Sequence, residues 1–176
     1  MHYSKQVARI FVLAFNLAIL PLCGGENAPI DTTASFTPPS GWKLAESQDL
    51  PKNVKAMVVG KGSGNFPPSI NLTTEDFSGT LKDYLKIVKK INQSNGAAWK
   101  DLGTIKTAAG KASFSQVDTK TEWGLIRMMH VILVEKGVAY IMTAAAPKEE
   151  FGTFYKDFFD SMRSLKISYP EEIDTR

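Results

Sequence analysis

Between Trp99 and Ala145 four extended runs follow one another with almost no chain between them. They are Trp99–Thr107, Lys111–Thr119, Gly124–Glu135 and Val138–Ala145, and the breaks fall at AAGK, KTEW and EKG. A parallel return to the same sheet needs a crossover of about a dozen residues or more. These breaks are far shorter, so each run is expected to turn back beside its predecessor as an antiparallel hairpin. A meander of this size dictates a sheet-based domain, and the rest of the chain must cover it.

Three shorter runs precede the meander. WKLAE (Trp42–Glu46), just after Gly41, reads as a strand; VKAMVVG (Val54–Gly60) is a second and SINLTTE (Ser69–Glu75) a third. The Gly/Pro-rich KGSGNFPP between the last two reads as a flexible hairpin loop. Thr80–Asn95 has a helical period, with Leu81, Tyr84, Leu85, Val88 and Ile91 on one face. Thr80 with Asp83 resembles a capping box, and Asn95-Gly96 supplies the stop. A last helix is expected to start at Pro147, with Phe151, Phe154, Tyr155, Phe158, Met162 and Leu165 as its buried stripe. The order is βββ–α–ββββ–α. It predicts an α+β domain, an antiparallel sheet of about six to seven strands covered by two main helices.

The front of the chain is of another kind. Met1–Arg9 carries Lys5 and Arg9 and no acid, and the apolar Ile10–Leu22 follows. A basic start with a short apolar core is the pattern of a secretory signal peptide. The run falls short of the about 20 apolar residues a membrane span needs. Leu20-Pro21-Leu22-Cys23 resembles the lipobox of bacterial lipoprotein precursors, with Leu22 where that family usually has Gly, Ala or Ser. The resemblance implies that Cys23, the single cysteine, becomes the lipidated first residue of the mature chain. Plain cleavage near Gly24–Gly25 and an uncleaved anchor are the alternatives. None leaves a cysteine in the folded domain, so disulfides are excluded. The expected layout is a signal peptide over 1–22, lipidated Cys23 and a Gly/Pro/Thr-rich tether over 23–40, one domain over 41–168 and a polar tail over 169–176. Gly24 in place of an Asp after the cysteine points, by analogy with Gram-negative sorting, to the outer membrane, facing the periplasm.

Two of the 21 Lys+Arg lie in the leader and no acid does, so the remainder carries 19 against 18, a net charge of +1. That balance gives no reason to expect nucleic acid. About 150 residues remain, enough for one domain whose core needs no metal or disulfide.

The domain from Phe36 to Ile167 resembles the PsbP-like fold, on PPSGW before the first strand, LKDYLKIVKKI after the third, VAYIMTAAAP before the last helix and FYKDFFDSMRSLKI at the close. That superfamily includes a photosystem extrinsic protein, a nuclear-import factor that binds Ran, and DcrB-type envelope lipoproteins. The resemblance implies a binding or accessory domain and names no ligand.

Chemistry-bearing clusters are sparse. One histidine, His130, lies beyond the leader, too few for a zinc site of several His or Cys ligands. His130 shares strand parity with Ile126, Met128, Ile132 and Val134, which reads as a structural, buried or half-buried residue, with a pH-responsive or ligand contact as the alternative. GKGSGN (Gly60–Asn65) lacks the phosphate-loop spacing and the helix that must follow it. No enzyme activity, metal or cofactor is expected. Lys82, Lys86, Lys89 and Lys90 form either a solvated helix face or a face for an anionic partner. Trp42, Trp99 and Trp123 stand near strand starts, either as core-edge packing or as the lining of a groove between sheet and helix. Arg127 either pairs with an acid or faces a groove. The function expected is a lipid-anchored cell-envelope protein with a non-enzymatic binding or assembly role toward an envelope protein. The alternative is an exported carrier of a small molecule or lipid.

Overall fold

The structure, a computed structural model, describes residues 33–169. The leader, Cys23, the first part of the expected tether and the tail from residue 170 lie outside the described residues. The elements are β1 (Thr33–Ser35), β2 (Lys43–Leu44), β3 (Val54–Val59), β4 (Ser69–Asp76), α1 (Leu81–Ser94), β5 (Ala98–Thr107), β6 (Gly110–Thr121), β7 (Gly124–Glu135), β8 (Val138–Pro147), α2 (Phe151–Arg163) and β9 (Lys166–Ser168). Seven strands form one sheet in the order β2-β3-β4-β8-β7-β6-β5, every neighbour antiparallel. The expected α+β sheet with two helices is the fold found.

The meander forms because its turns are as tight as the breaks allow. Between β7 and β8 only Lys136 and Gly137 intervene, and both have positive φ, 49° and 78°. Two positive values in a two-residue loop make the turn whose twist matches the flanking strands. Alternation along β6, β7 and β8 then sends residues to opposite faces. On one face Phe114, Val131, Met142 and Leu72 fall in one cross-strand row. Helix α2 covers that face with Phe151, Phe158 and Met162, joined by Leu165 just past the helix end. On the other face α1 packs Tyr84 and Val88 against Ile132, Ala139 and Ile141. Thr80 caps α1, its hydroxyl accepting the Asp83 amide at 3.2 Å.

Several expectations need correction. Pro147 ends β8, and α2 begins only at Phe151 after a turn. The amide of Lys148 donates to Leu125 O on β7. The Pro147 nitrogen therefore faces the β4 side, where β4 has already ended at Ser69 opposite Ala145. A residue without an N–H is harmless there. Tyr155 is 48% exposed and stacks on Phe159 outside the core, and Phe154 is half-buried. Thr33–Ser35, read as tether, is a strand paired with Lys166–Ser168 in a separate two-stranded ladder. The Gly60–Pro68 loop is held in place: the Ser63 amide donates to Glu150 Oε2 at 3.2 Å and its hydroxyl to Glu150 Oε1. At Gly60 a Cβ would stand 2.7 Å from the Trp42 ring, so only glycine lets the loop close over that indole.

Candidate functional site

Side chains of one parity in β4, β6, β7 and β8 point toward the α1 face. In one row across it Ser115 stands opposite His130, His130 opposite Thr143, and Thr143 opposite Asn71. All four are buried, with relative exposures of 1%, 8%, 0% and 2%. Apolar side chains flank this row on both sides. Val117, Met128 and Ala145 lie in one cluster with Phe66 and Met57, and Ile132 and Ile141 lie in the cluster under α1. His130 is thus buried with the parity expected of it, inside a polar band that divides an apolar face.

The band is incompletely bonded. His130 Nδ1 lies 3.1 Å from Thr143 Oγ1. His130 Nε2, Ser115 Oγ and Trp99 Nε1 are buried and have no hydrogen-bond partner. Trp99 belongs to the same face: it pairs with Val117, two residues from Ser115 on β6. Tyr169 Oη sits apart from the band, hydrogen-bonded with Glu135 and Tyr140. Burial pushes the His130 pKa down to about 4, so the imidazole is neutral near pH 7. The pattern does not resemble a nucleophile triad, because Thr143 stands where a carboxylate would orient the ring, and Ser115 Oγ makes no bond to it. Among the described residues no three His, Cys, Asp or Glu side chains are grouped to hold a metal.

The sequence pointed to His130 and Trp99 separately. It missed Ser115, Thr143 and Asn71, whose signal was a polar residue at an inward strand position. The three tryptophans expected together lie on two faces of the sheet. Trp99 and Trp123 share the α1-side cluster, where Trp123 packs on Phe66 with centroids 5.8 Å apart. Trp42 lies on the α2 face, edge-on to Phe158 at 5.8 Å and Phe154 at 6.1 Å.

Lys82, Lys86, Lys89 and Lys90 are all exposed on the outer arc of α1. Lys86 pairs with Asp83 at 3.0 Å, and Lys89 Nζ sits 5.4 Å from the centroid of Trp99. Arg127 takes the first of its two expected roles, in which it pairs with an acid. Its Nε and NH2 nitrogens each donate to Asp118 at 2.8 Å, and Lys148 approaches the same carboxylate at 2.9 Å. These cations hold the Asp118 pKa down at about 2. Tyr84 donates to Glu75 Oε2 at 2.7 Å, tying α1 to β4. Burial raises the Glu75 pKa, and the Tyr84 bond opposes that rise.

No protein-family model matches the sequence, and no curated protein does. Solved structures do match. The chain is similar to LpqN, involved in cell envelope biogenesis of Mycobacterium tuberculosis, with TM-score 0.57 and 17% identity over 85% of this chain and 90% of that one. A protein of Bacteroides thetaiotaomicron matches with TM-score 0.50 and 16% identity over 79% of this chain, which spans 46% of that longer one. The cyanobacterial PsbP of Synechocystis aligns with TM-score 0.48 and 10% identity over 85% of this chain and 99% of its own. No helix among the described residues is long and apolar enough to cross a membrane. What the chain shares with LpqN is an α+β fold.

Proposed function

We propose that this chain is a non-enzymatic binding or assembly module of the bacterial cell envelope, held at a membrane by a lipid on Cys23. The observation that carries the reading is the run Lys5 to Cys23, a basic start and a short apolar core ending in Leu20-Pro21-Leu22-Cys23. Two further points support it. LpqN, with the same fold, is involved in cell envelope biogenesis, and the buried histidine lacks the bonded partners of a general base. The envelope placement follows from the leader, and Gly24 directs the anchored chain to the outer membrane of a Gram-negative cell. The lysine face of α1, Lys82, Lys86, Lys89 and Lys90, is the surface offered to an anionic partner.

Radiolabelled palmitate entering the wild type and not Cys23→Ser, with the wild type in the membrane fraction, is the expected result. Equal labelling of both proteins overturns the anchor. A second reading, an exported carrier of a small molecule or lipid, is favoured by one observation: three buried polar atoms on the α1-side face of the sheet lack partners. A co-purifying ligand mass in native mass spectrometry is its signature, and bare protein counts against it.

A further inference from the structure

Buried polar groups in folded proteins almost always have a partner, and each exception calls for an explanation. Here three exceptions share one sheet face. Trp99 Nε1, Ser115 Oγ and His130 Nε2 come from β5, β6 and β7, neighbours in the sheet. Ser115 is directly opposite His130, and Trp99 is diagonal to Ser115 through Val117. Diagonal neighbours stand roughly 7–8 Å apart, within reach of an indole. Helix α1 packs against both β5 and β7, the two strands that flank β6 and its Ser115.

The three atoms define the chemistry that would satisfy them. The indole N–H only donates, and a serine hydroxyl donates and accepts. When His130 Nδ1–H donates to Thr143 Oγ1, Nε2 accepts. Together they ask for a group with an acceptor for the indole and hydroxyl, and a donor for the imidazole. No fixed charge belongs to the set. Lys89 is exposed and lies over the Trp99 ring. Asp101, opposite Ser115, is exposed, and its Oδ1 accepts the Gly103 amide at 2.7 Å. The flanking side chains are Val117, Met128 and Ile132, all apolar.

We infer that Trp99, Ser115 and His130 form a binding site beneath α1 for the neutral head of a small ligand, one that both accepts and donates hydrogen bonds, a carboxamide or an alcohol on an apolar body. The inference rests on the carrier reading and supplies its ligand class. Carboxylates are disfavoured because, among the described residues, the cation beside the set, Lys89, is exposed and lies over the Trp99 ring, and alkyl ammonium ions because the Asp101 carboxylate opposite Ser115 is exposed and already holds the Gly103 amide.

The test uses the full chain with 15N-labelled tryptophan, and four-carbon probes that differ only in the head: butyramide, 1-butanol, butyrate and butylammonium. The Trp99 indole N–H, assigned with Trp99→Phe, is expected to shift saturably with butyramide or butanol, while Trp42 on the other face stays still. Ser115→Ala is expected to weaken that binding about tenfold. If Ser115→Ala does not fold, the butyramide-induced rise in melting temperature is compared between wild type and Trp99→Phe, which loses it. Butyrate binding as tightly as butyramide overturns the inference, as does an unchanged affinity in Ser115→Ala. So does a Trp99 that answers no probe, the mark of a site that holds only water. Native mass spectrometry separates the two levels. A co-purified ligand with a silent Trp99 leaves the carrier and removes this site, and bare protein with a responsive Trp99 does the reverse.

Discussion

On the α2 face Phe158 lies against the rings of Trp42, Phe151 and Phe154, at centroid distances of 5.8, 5.1 and 6.1 Å. On the α1 face the same strands, β6 to β8, place Ser115, His130 and Thr143 mid-sheet. The charged residues Arg127 and Lys148 are both bonded to Asp118. One set of strands thus builds a satisfied aromatic core on one side and a band with unpaired atoms on the other. An unpaired buried polar group costs about 1–3 kcal/mol. Sequences that are consistent at every level tolerate such conflicts mainly where function requires them. Stability is therefore expected to reside on the α2 side and ligand chemistry on the α1 side.

The strongest challenge to that division is Phe158→Ala. Phe158 is fully buried, and truncation there is expected to cost about 3–5 kcal/mol, against the about 5–15 kcal/mol that hold a domain together. Its urea midpoint should fall far below that of wild type. An unchanged midpoint would mean that α2 does not close the core.

Titration sharpens the comparison, because the two faces respond in different pH windows. His130 has a folded pKa of about 4 against 6.5 unfolded. Below pH 6.5 the unfolded chain takes up a proton that the fold refuses, so stability falls as pH drops to about 4, by about 3 kcal/mol in all. Thermal melts from pH 7 to 4 should show the slope, and His130→Gln should flatten it. Asp118 acts lower. Its folded pKa is about 2 against 3.8, so its contribution is whole above 3.8 and disappears as pH falls through about 2. Asp118→Asn is expected to cost about 2 kcal/mol at neutral pH and to remove the loss below pH 4. The smallest effect belongs to Ser115→Ala. Deleting a hydroxyl without a partner should lower stability, read from the urea midpoint, by less than about 0.5 kcal/mol, or raise it. A clear destabilisation would show that the hydroxyl is bonded after all.

The meander and both helices were legible in the sequence because period and turn length act locally. His130 was placed on its face by parity alone. Its neighbours in the band were not, because cross-strand register depends on which strands meet, and a lone Ser115 or Thr143 carries no trace of that. Trp42 was grouped with Trp99 and Trp123 for the same reason: a two-residue strand such as β2 has too little alternation to assign a face. The ladder of Thr33–Ser35 with Lys166–Ser168 joins segments more than 130 residues apart in the chain, and neither is apolar enough to announce it.

That ladder also fixes how the fold would answer mechanical load. Because β1 and β9 are antiparallel, the chain enters at Thr33 and leaves at Ser168 from the same end of the pairing. Tension between the two ends therefore peels it one rung at a time, Thr33 from Ser168, then Ala34 from Ile167, then Ser35 from Lys166. Next in line is the Thr37 amide on the Ser164 hydroxyl, at 2.7 Å. None of these bonds belongs to the seven-stranded sheet. A pull on this chain is thus met first by a short clip, and the core beneath Phe158 feels it only through Ala34 and Ile167, which pack against that core.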